Sequence, residues 1–184
     1  KCGYVNPAGV TRCVRCDAGT EPGFRSGMTI SGRYGLIRLI GKGGMGEVWS
    51  AVQTSVDRPV AIKFLHEDLM QNPTARQRVL AEAKALGRLD HRNVVTIHEC
   101  FETERTVALV LELVEGGSLA NRIKRSGAIP WYEAVNWIRD VLKGLGAIHS
   151  TGLIHRDIKP DNVLMAIDMD GEIVPKITDL GIAH

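Results

Sequence analysis

Cysteine, charge of one sign and long apolar runs are all scarce in this sequence. Its 184 residues include four cysteines, too few for a disulfide scaffold of this length. The 23 basic side chains nearly balance the 21 acidic ones, and a formal net charge of +2 gives no electrostatic reason to expect a nucleic-acid or membrane partner. Glu112 interrupts the longest apolar run, Val107 to Val114, which is far short of the ~18 residues of a membrane span.

The composition is that of one globular domain with room for a small appendage. Apolar residues make up 44% of the chain and the mean hydropathy is −0.04, so a core can form. No charged and then apolar leader is visible, so we expect no secretory signal and a cytoplasmic location. Regular periodicity starts at Arg33. We therefore expect a separate segment over 1–18, a glycine-rich linker over 19–32 and a domain over 33–184.

Three of the four cysteines lie in the first sixteen residues. Cys13 and Cys16 have the C-x-x-C spacing of a zinc knuckle, and Cys2 resembles the end of another. Because a structural Zn²⁺ takes four N or S ligands, we expect a zinc ribbon whose first cysteine lies upstream of Lys1. Free thiols in a flexible tail are the alternative.

The spacing of apolar residues predicts an α+β fold with two lobes. A strand-rich first lobe with one helix covers 33–114, and the beginning of a helical second lobe covers 115–184. Asp170 and Gly171 predict a hairpin turn in the second lobe. Strands are predicted over 34–40, 47–53, 60–65, 94–101 and 107–113, and helices over 74–89, after 116–118 and from 130.

The glycines between the first two predicted strands fit the pattern G-x-G-x-x-G over 41–46. A dinucleotide-binding fold needs a helix after these glycines, whereas 47–53 alternates like a strand. A P-loop is excluded because no G-x-x-x-x-G-K-[ST] match exists. The pattern fits a hairpin whose backbone N–H groups can approach phosphates, although a plain tight hairpin has the same glycines.

Several charged residues further along could act on phosphates. Lys63 lies in an apolar strand, where it is either a snorkelling lysine or a cation aimed at phosphates and held by Glu82 of the predicted helix. The run 155–162, His-Arg-Asp-Ile-Lys-Pro-Asp-Asn, brings a base, cations and an amide ligand together in a loop. Asp179 follows a short strand, and with Asn162 it supplies oxygen ligands that suit Mg²⁺.

Taken in order, these motifs resemble the signature set of eukaryotic-like protein kinases, and their wording is similar to bacterial members. The resemblance covers about 33–184. It implies that Asp157 accepts the proton of a substrate hydroxyl and that Lys159 neutralises charge on the transferred phosphoryl group. It also implies that Lys63 binds the α- and β-phosphates while paired with Glu82. Asn162 and Asp179 would hold Mg²⁺.

Lys159 followed by Pro160 resembles Ser/Thr kinases, which implies a protein substrate with a Ser or Thr hydroxyl.

The resemblance also implies where ATP binds. It implies that adenine lies between Ile40, Val48 and Ala61 above and Leu164 below, with backbone groups of Glu112 and Val114 paired with its edge. The residues expected around ATP are Ile40, Gly41, Gly43, Gly44, Gly46, Val48, Ala61, Lys63, Glu112, Val114 and Leu164. Leu111 would guard a back pocket, and a packed stack linking the lobes would consist of His155, Leu180, Leu86 and Ile97.

Two departures from the family's pattern stand out. Leu180 occupies the usual position of a Phe, which changes only packing. The chain ends at His184, so we expect a fragment without the activation segment and later helices. Such a fragment is expected to be poorly folded in its second lobe and nearly inactive alone.

Three other functions compete with a protein kinase. A pseudokinase or scaffold would bind nucleotide without transfer, but every catalytic position keeps the residue that transfer needs. A small-molecule phosphotransferase of related architecture is disfavoured by Arg156, Lys159 and Pro160. A nucleic-acid-binding ribbon built on the cysteines is disfavoured by the near-neutral charge.

Overall fold

The structure, a computed structural model, describes residues 23–44, 46–66, 73–103 and 106–179. The described residues form the predicted α+β fold, with a six-stranded sheet in the first lobe and helices with a two-stranded ribbon in the second. In chain order the elements are β1 Thr29–Ile30, β2 Tyr34–Gly43, β3 Gly46–Gln53, β4 Arg58–Leu65, α1 Pro73–Leu86, β5 Ile97–Glu102, β6 Val107–Glu112, α2 Leu119–Ser126, α3 Trp131–Ser150, a 3₁₀ turn Pro160–Asn162, β7 Val163–Ile167 and β8 Ile173–Ile177.

The first-lobe sheet has the strand order β1-β2-β3-β4-β6-β5, and each pair is antiparallel. Because side chains alternate along a strand, β4 divides its residues between the two faces. Val60, Ile62 and Phe64 belong to an apolar cluster on one face. Leu65 packs on the other face with Val79 of α1, so α1 covers that side of the sheet. Lys63 alternates onto the α1 side of the sheet.

The prediction of a linker over 19–32 is wrong for residues 23–32, the part that the structure describes. Thr29 and Ile30 pair with Gly35 and Tyr34 of β2, and Gly27 N–H donates to the Leu36 carbonyl at 2.8 Å. Phe24 stacks on Phe64 with ring centroids 3.6 Å apart. The physical reason is that the apolar face of the sheet needs a cover, which this segment supplies.

Two predicted boundaries also shift. Helix α1 ends at Leu86 rather than Leu89, and Gly87 N–H closes its last turn on the Ala83 carbonyl at 2.8 Å. Strand β5 starts at Ile97 rather than Val94, because the segment 93–95 bonds to β8 instead of β6. Val95 N–H donates to Ile177 O and Ile177 N–H donates to Asn93 O, both at 2.9 Å. These bonds join the two lobes.

Helix α3 is the main element of the second lobe. Trp137, Gly144 and Ile148 are buried, and a Cβ at Gly144 would lie 2.6 Å from the Asn93 carbonyl oxygen, so the helix approaches segment 93–95 closely. The opposite side keeps large apolar side chains in contact with water, including Trp131, Val135, Ile138 and Leu142. No helix in the described ranges is long and apolar enough to span a membrane.

A polar cluster fixes the start of β2 to β5. The Arg33 guanidinium donates to both Glu99 carboxylate oxygens at 3.0 and 2.8 Å, and Tyr34 Oη donates to the same carboxylate at 2.6 Å. The Arg33 hydrogen bond holds the pKa of Glu99 below its usual value. Burial, with the Glu99 hydrogen bond second, raises the pKa of Tyr34 to about 12, so its hydroxyl stays a donor at neutral pH.

We expect Glu99→Gln to destabilise the fold at pH 7 and to lose that effect in acid. A carboxylate whose folded-state pKa is depressed contributes stability above its unfolded pKa, and the contribution is lost as pH falls through the folded value. The difference between wild type and variant in urea unfolding should therefore shrink from pH 7 to below pH 4, a window set by the usual glutamate pKa of ~4.3. The exposed Glu115→Gln is the matched control. A difference that stays constant with pH would contradict this prediction.

Candidate active site

The glycine-rich segment forms the hairpin between β2 and β3. Gly43 pairs with Gly46 at the turn, and Lys42 pairs with Glu47 one step inward. Lys42 Nζ lies 2.8 Å from Glu47 Oε1, and this hydrogen bond holds the pKa of Glu47 below its usual value. His66 Nε2 lies 3.0 Å from the Gly43 carbonyl oxygen. The hairpin is thus held by the Lys42–Glu47 contact between its own strands and by the His66 contact at the end of β4.

Gly46 cannot be replaced without moving the backbone. Its φ is +147°, and a Cβ there would collide with the carbonyl oxygen of Phe64. We expect Gly46→Ala to cost about 1–3 kcal/mol and to lower the melting temperature by roughly 5 °C. Gly44→Ala is the matched control, because no atom lies within 4 Å of a Cβ at Gly44. Equal melting temperatures for the two variants would show that the Gly46 conformation is not required.

Lys63 forms an ion pair across the lobes. Its Nζ lies 2.7 Å from Asp179 Oδ1, and the Lys63 side chain is 9% exposed. A buried ammonium group needs a counter-charge, and Asp179 supplies it here. Glu82, the expected partner, lies 3.3 Å from Arg78 Nε one helical turn earlier. The Lys63–Glu82 pair therefore stays a prediction.

Three polar side chains meet in the loop that precedes β7. Asp157 Oδ2 accepts hydrogen bonds from Lys159 Nζ at 2.7 Å and from Asn162 Nδ2 at 2.9 Å. Asn162 Nδ2 also donates to the Asp157 carbonyl at 2.8 Å. The Asp157 hydrogen bond raises the pKa of Lys159, which keeps the ammonium charged. The carboxylate of Asp157 is thus held in one orientation at a partly exposed position.

The buried side chain of His155 contacts both this loop and the residue before Asp179. Asp157 N–H donates to His155 Nδ1 at 3.3 Å, so the proton belongs on Nε2, which lies 2.9 Å from the Thr178 carbonyl. Arg156 and Asp179 both have left-handed backbone conformations, with φ of 64° and 55°. Of the expected stack between the lobes, Leu86 and Ile97 share one apolar cluster. Leu180 lies outside the described residues, so the complete stack stays a prediction.

Asn162 and Asp179 are brought together by the backbone. Thr178 N–H donates to the Asn162 carbonyl at 3.0 Å, which places the residue before Asp179 on the loop that carries Asn162. The Asn162 amide nitrogen is engaged with Asp157, so its amide oxygen is the atom that can serve a cation. Carboxylate and amide oxygens suit Mg²⁺, which proteins bind through one or two carboxylates together with substrate phosphates. The donor set therefore fits Mg²⁺.

The expected structural Zn²⁺ would need a site made of protein ligands alone. Among the described residues, no three His, Cys, Asp or Glu side chains cluster closely enough to hold a metal ion. Cys2, Cys13 and Cys16 lie outside the described residues, so the zinc ribbon stays a prediction. Cys100 packs, half-buried, against the cluster between the sheet and α1.

The register of the sheet places two expected adenine contacts, Val48 and Ala61, on the same face as Lys63 and Leu111. Val48 is opposite Lys63, and Ala61 is opposite Leu111, so these four side chains share the face of β3, β4 and β6 that faces α1. Ile40 lies at an irregularity in the β2–β3 register and is 39% exposed. Of the remaining expected contacts, Glu112 ends β6, Val114 follows it, Leu164 lies on β7, and Gly41, Gly43, Gly44 and Gly46 lie in the hairpin.

A cavity lined by residues of both lobes lies next to the Lys63–Asp179 ion pair. Lys63 and Asp179 lie on its charged side, and its apolar wall contains Ile97 and Leu109. Leu111 also lines the cavity, and its role at the entrance of a back pocket stays a prediction. The residues that complete the lining are Val95, Ile177 and Thr178.

Sequence reasoning missed two polar residues of this region. Lys176 of β8 binds Glu112, and His66 binds the glycine hairpin. A signal existed for Lys176, because it is a lone cation inside the apolar strand 173–177, as Lys63 is in the apolar run 60–65. None existed for His66, whose contact depends on how the hairpin folds back over the end of β4.

Fold and site together define a bilobal α+β domain in which polar residues of both lobes form one site. A glycine hairpin lies in the sheet lobe, and an aligned Asp-Lys-Asn loop and a second aspartate lie in the other lobe. The chain belongs to the protein kinase domain family, whose model matches residues 34–184.

Similar proteins agree with this assignment. The chain is 40% identical to the serine/threonine-protein kinase PknA of Mycobacterium tuberculosis over 164 residues, which cover 86% of this chain and 37% of PknA. It is also 40% identical to PrkC of Bacillus subtilis, covering 85% of this chain and 24% of PrkC. The crystal structure of the M. tuberculosis PknI kinase domain superposes with a TM-score of 0.75 at 27% identity, covering 88% of this chain and 64% of that one. The chain thus spans less than two fifths of these curated relatives.

Proposed function

We propose that this domain belongs to an ATP- and Mg²⁺-dependent protein serine/threonine kinase. The observation that carries the proposal is the orientation of Asp157, whose Oδ2 is held by Lys159 and Asn162 at 2.7 and 2.9 Å. An aspartate held in this way suits the acceptance of a proton from a hydroxyl. The printed functions of PknA and PrkC, both serine/threonine-protein kinases, support the same reaction.

In the proposed reaction, the oxygen of a substrate hydroxyl forms a bond to the γ-phosphorus of ATP. The bond from that phosphorus to the oxygen bridging to the β-phosphate breaks, and ADP leaves with the electron pair. The hydroxyl proton passes to the Asp157 carboxylate. Lys159, whose charge is secured by Asp157, offsets negative charge on the transferred group.

Other residues of the site would bind ATP and the metal. The glycine hairpin provides backbone N–H groups, and Lys63 provides a cation for the phosphates. Asn162 and Asp179 would hold Mg²⁺, which neutralises phosphate charge when bound. Because Lys63 binds Asp179 in this structure, we infer that Lys63 turns toward the phosphates, and that Glu82 becomes its partner, when ATP and Mg²⁺ are present.

The proposal includes a protein substrate carrying Ser or Thr, inferred from Lys159 and Pro160 in the catalytic loop. A nucleotide-binding scaffold remains the alternative function. It is disfavoured because Lys63, Glu82, Asp157, Asn162 and Asp179 are all present. We place the domain in the cytoplasm, where ATP and Mg²⁺ are available.

The test is transfer of labelled γ-phosphate by the complete protein with Mg²⁺, measured on itself and on a generic basic protein. We expect label on serine and threonine, identified by phosphoamino-acid analysis. ATP binding without transfer would favour the scaffold. Neither binding nor transfer would overturn the kinase assignment.

A structural zinc ion is proposed separately for Cys2, Cys13 and Cys16, supported by the C-x-x-C spacing alone. Elemental analysis of the purified complete protein tests it. About one zinc per chain that is lost on replacing Cys13 and Cys16 by serine would support it, whereas zinc-free protein would overturn it.

A further inference from the structure

Lys176 occupies a distinctive place in the second lobe. It lies on β8 directly opposite Leu164 of β7, so the two side chains lie on the same face of the ribbon. Leu164 is the expected floor of the adenine pocket. The Lys176 side chain is only 15% exposed, so its ammonium group is largely removed from water.

The Lys176 ammonium group reaches across to the first lobe. Its Nζ lies 2.8 Å from both carboxylate oxygens of Glu112. Glu112 Oε2 also accepts the Thr96 N–H at 3.3 Å, while Glu112 N–H donates to the Thr96 carbonyl at 2.9 Å. We name Thr96, Glu112 and Lys176 the cross-lobe clasp. It fixes the last residue of β6 through its backbone and through its side chain.

We propose that Lys176 is a positioning residue for the adenine of ATP, acting through Glu112. The inference rests on the proposed function and on the family resemblance, which implies that backbone groups of Glu112 and Val114 pair with the adenine edge. Lys176 joins the strand that lies beside the adenine floor to the segment that reads the adenine edge. A charge-assisted contact of this kind holds both surfaces at one separation before the nucleotide arrives, so less ordering is left to binding.

The lobes have other connections, which make Lys176 testable on its own. Asn93 Nδ2 donates to the Pro175 carbonyl at 2.9 Å, and the backbone of Ile177 pairs with Asn93 and Val95. These bonds involve β8 but neither Lys176 nor Glu112 side chains. Removing the ammonium group should therefore leave β8 attached to the first lobe and leave the Glu112 carboxylate with the Thr96 N–H as its remaining partner in the clasp.

The experiment compares Lys176→Met, Lys176→Arg and Glu112→Gln in the complete protein. Steady-state transfer is measured with ATP and with GTP, and ATP binding is measured by titration calorimetry. We expect Lys176→Met to raise KM and Kd for ATP about tenfold, with kcat within about twofold of wild type. Preference for ATP over GTP should fall, because the adenine edge is read less well. Lys176→Arg should restore most of the affinity, and Glu112→Gln should weaken it in the same direction.

Lys143→Met is the matched control. Lys143 also forms an ion pair, with Asp140 at 2.9 Å, but at an exposed position of helix α3. It should leave KM, kcat and nucleotide preference unchanged.

An unchanged KM and Kd for ATP in Lys176→Met would overturn the inference. So would a raised kcat with unchanged KM, because the clasp would then restrain the enzyme rather than position the nucleotide. If Lys176→Met loses its cooperative melting transition, Glu112→Gln is judged by the same criteria. A wild-type protein that neither binds ATP nor transfers phosphate would instead overturn the proposed function.

Discussion

Asp157→Asn should reduce kcat for phosphate transfer by about 10²–10⁴-fold, the range that a positioned general base contributes. Asparagine keeps the size of the side chain and can still accept the hydrogen bond from Lys159, but it cannot take up the hydroxyl proton. KM for ATP should change little, because Asp157 lies in the loop before β7 and not among the expected adenine contacts. Initial rates at saturating ATP, with the complete protein, measure this directly.

Asp140→Asn provides the control for this variant. Asp140 is also a carboxylate that accepts a lysine hydrogen bond, at 2.9 Å, but it lies on helix α3. Its replacement should leave kcat within about twofold of wild type. Full transfer by Asp157→Asn would remove Asp157 from the proposed mechanism, and equal losses in both variants would indicate a general effect of lost charge.

Lys63→Met should lower kcat/KM by at least about 10²-fold, because it removes a cation from the phosphate region of a partly buried site. Methionine fills similar space, so the 9%-exposed position stays packed. Asp179→Asn should be at least as damaging, since it removes both the Lys63 partner and a carboxylate that suits Mg²⁺.

The double variant Lys63→Met/Asp179→Asn tests whether the two residues act as one unit. If they do, its loss should be much smaller than the product of the single losses. Lys84→Met is the control, because Lys84 is an exposed lysine in the last turn of α1. Melting temperatures of all four proteins separate lost chemistry from lost folding. Strictly multiplicative losses would contradict the coupling.

Sequence patterns predicted the helices and strands better than the contacts between them. The apolar run 60–65 after the turn at 57–59 identified β4 and set Lys63 apart from its apolar neighbours, because such a run is a local property. The Lys63–Asp179 ion pair depends on how β4 and the segment before Asp179 pack together, which no local pattern carries. The same holds for β1: two residues in a glycine-rich stretch carry no period, and they become a strand because β2 offers an edge.

The composition of residues 155–162 predicted the catalytic loop but did not predict its hydrogen bonds. Which oxygen of Asp157 is engaged, and by which donors, depends on the turn at Pro160–Asn162. The Glu112–Lys176 contact joins residues 64 apart in the chain, so it needed the assembled lobes.

Arg156 and Asp179 have left-handed backbone conformations, so a substitution that stabilises the fold at either position would remove a side chain from the site. A non-glycine residue in that region is held against a local preference, at a cost of order 1–3 kcal/mol. Glycine at either position would relieve the backbone and delete a side chain of the catalytic region. Selection for heat resistance alone would therefore favour changes here that selection for the proposed phosphate transfer would reject. A thermostable form of this domain is best sought away from these two residues, in surface loops and helix ends.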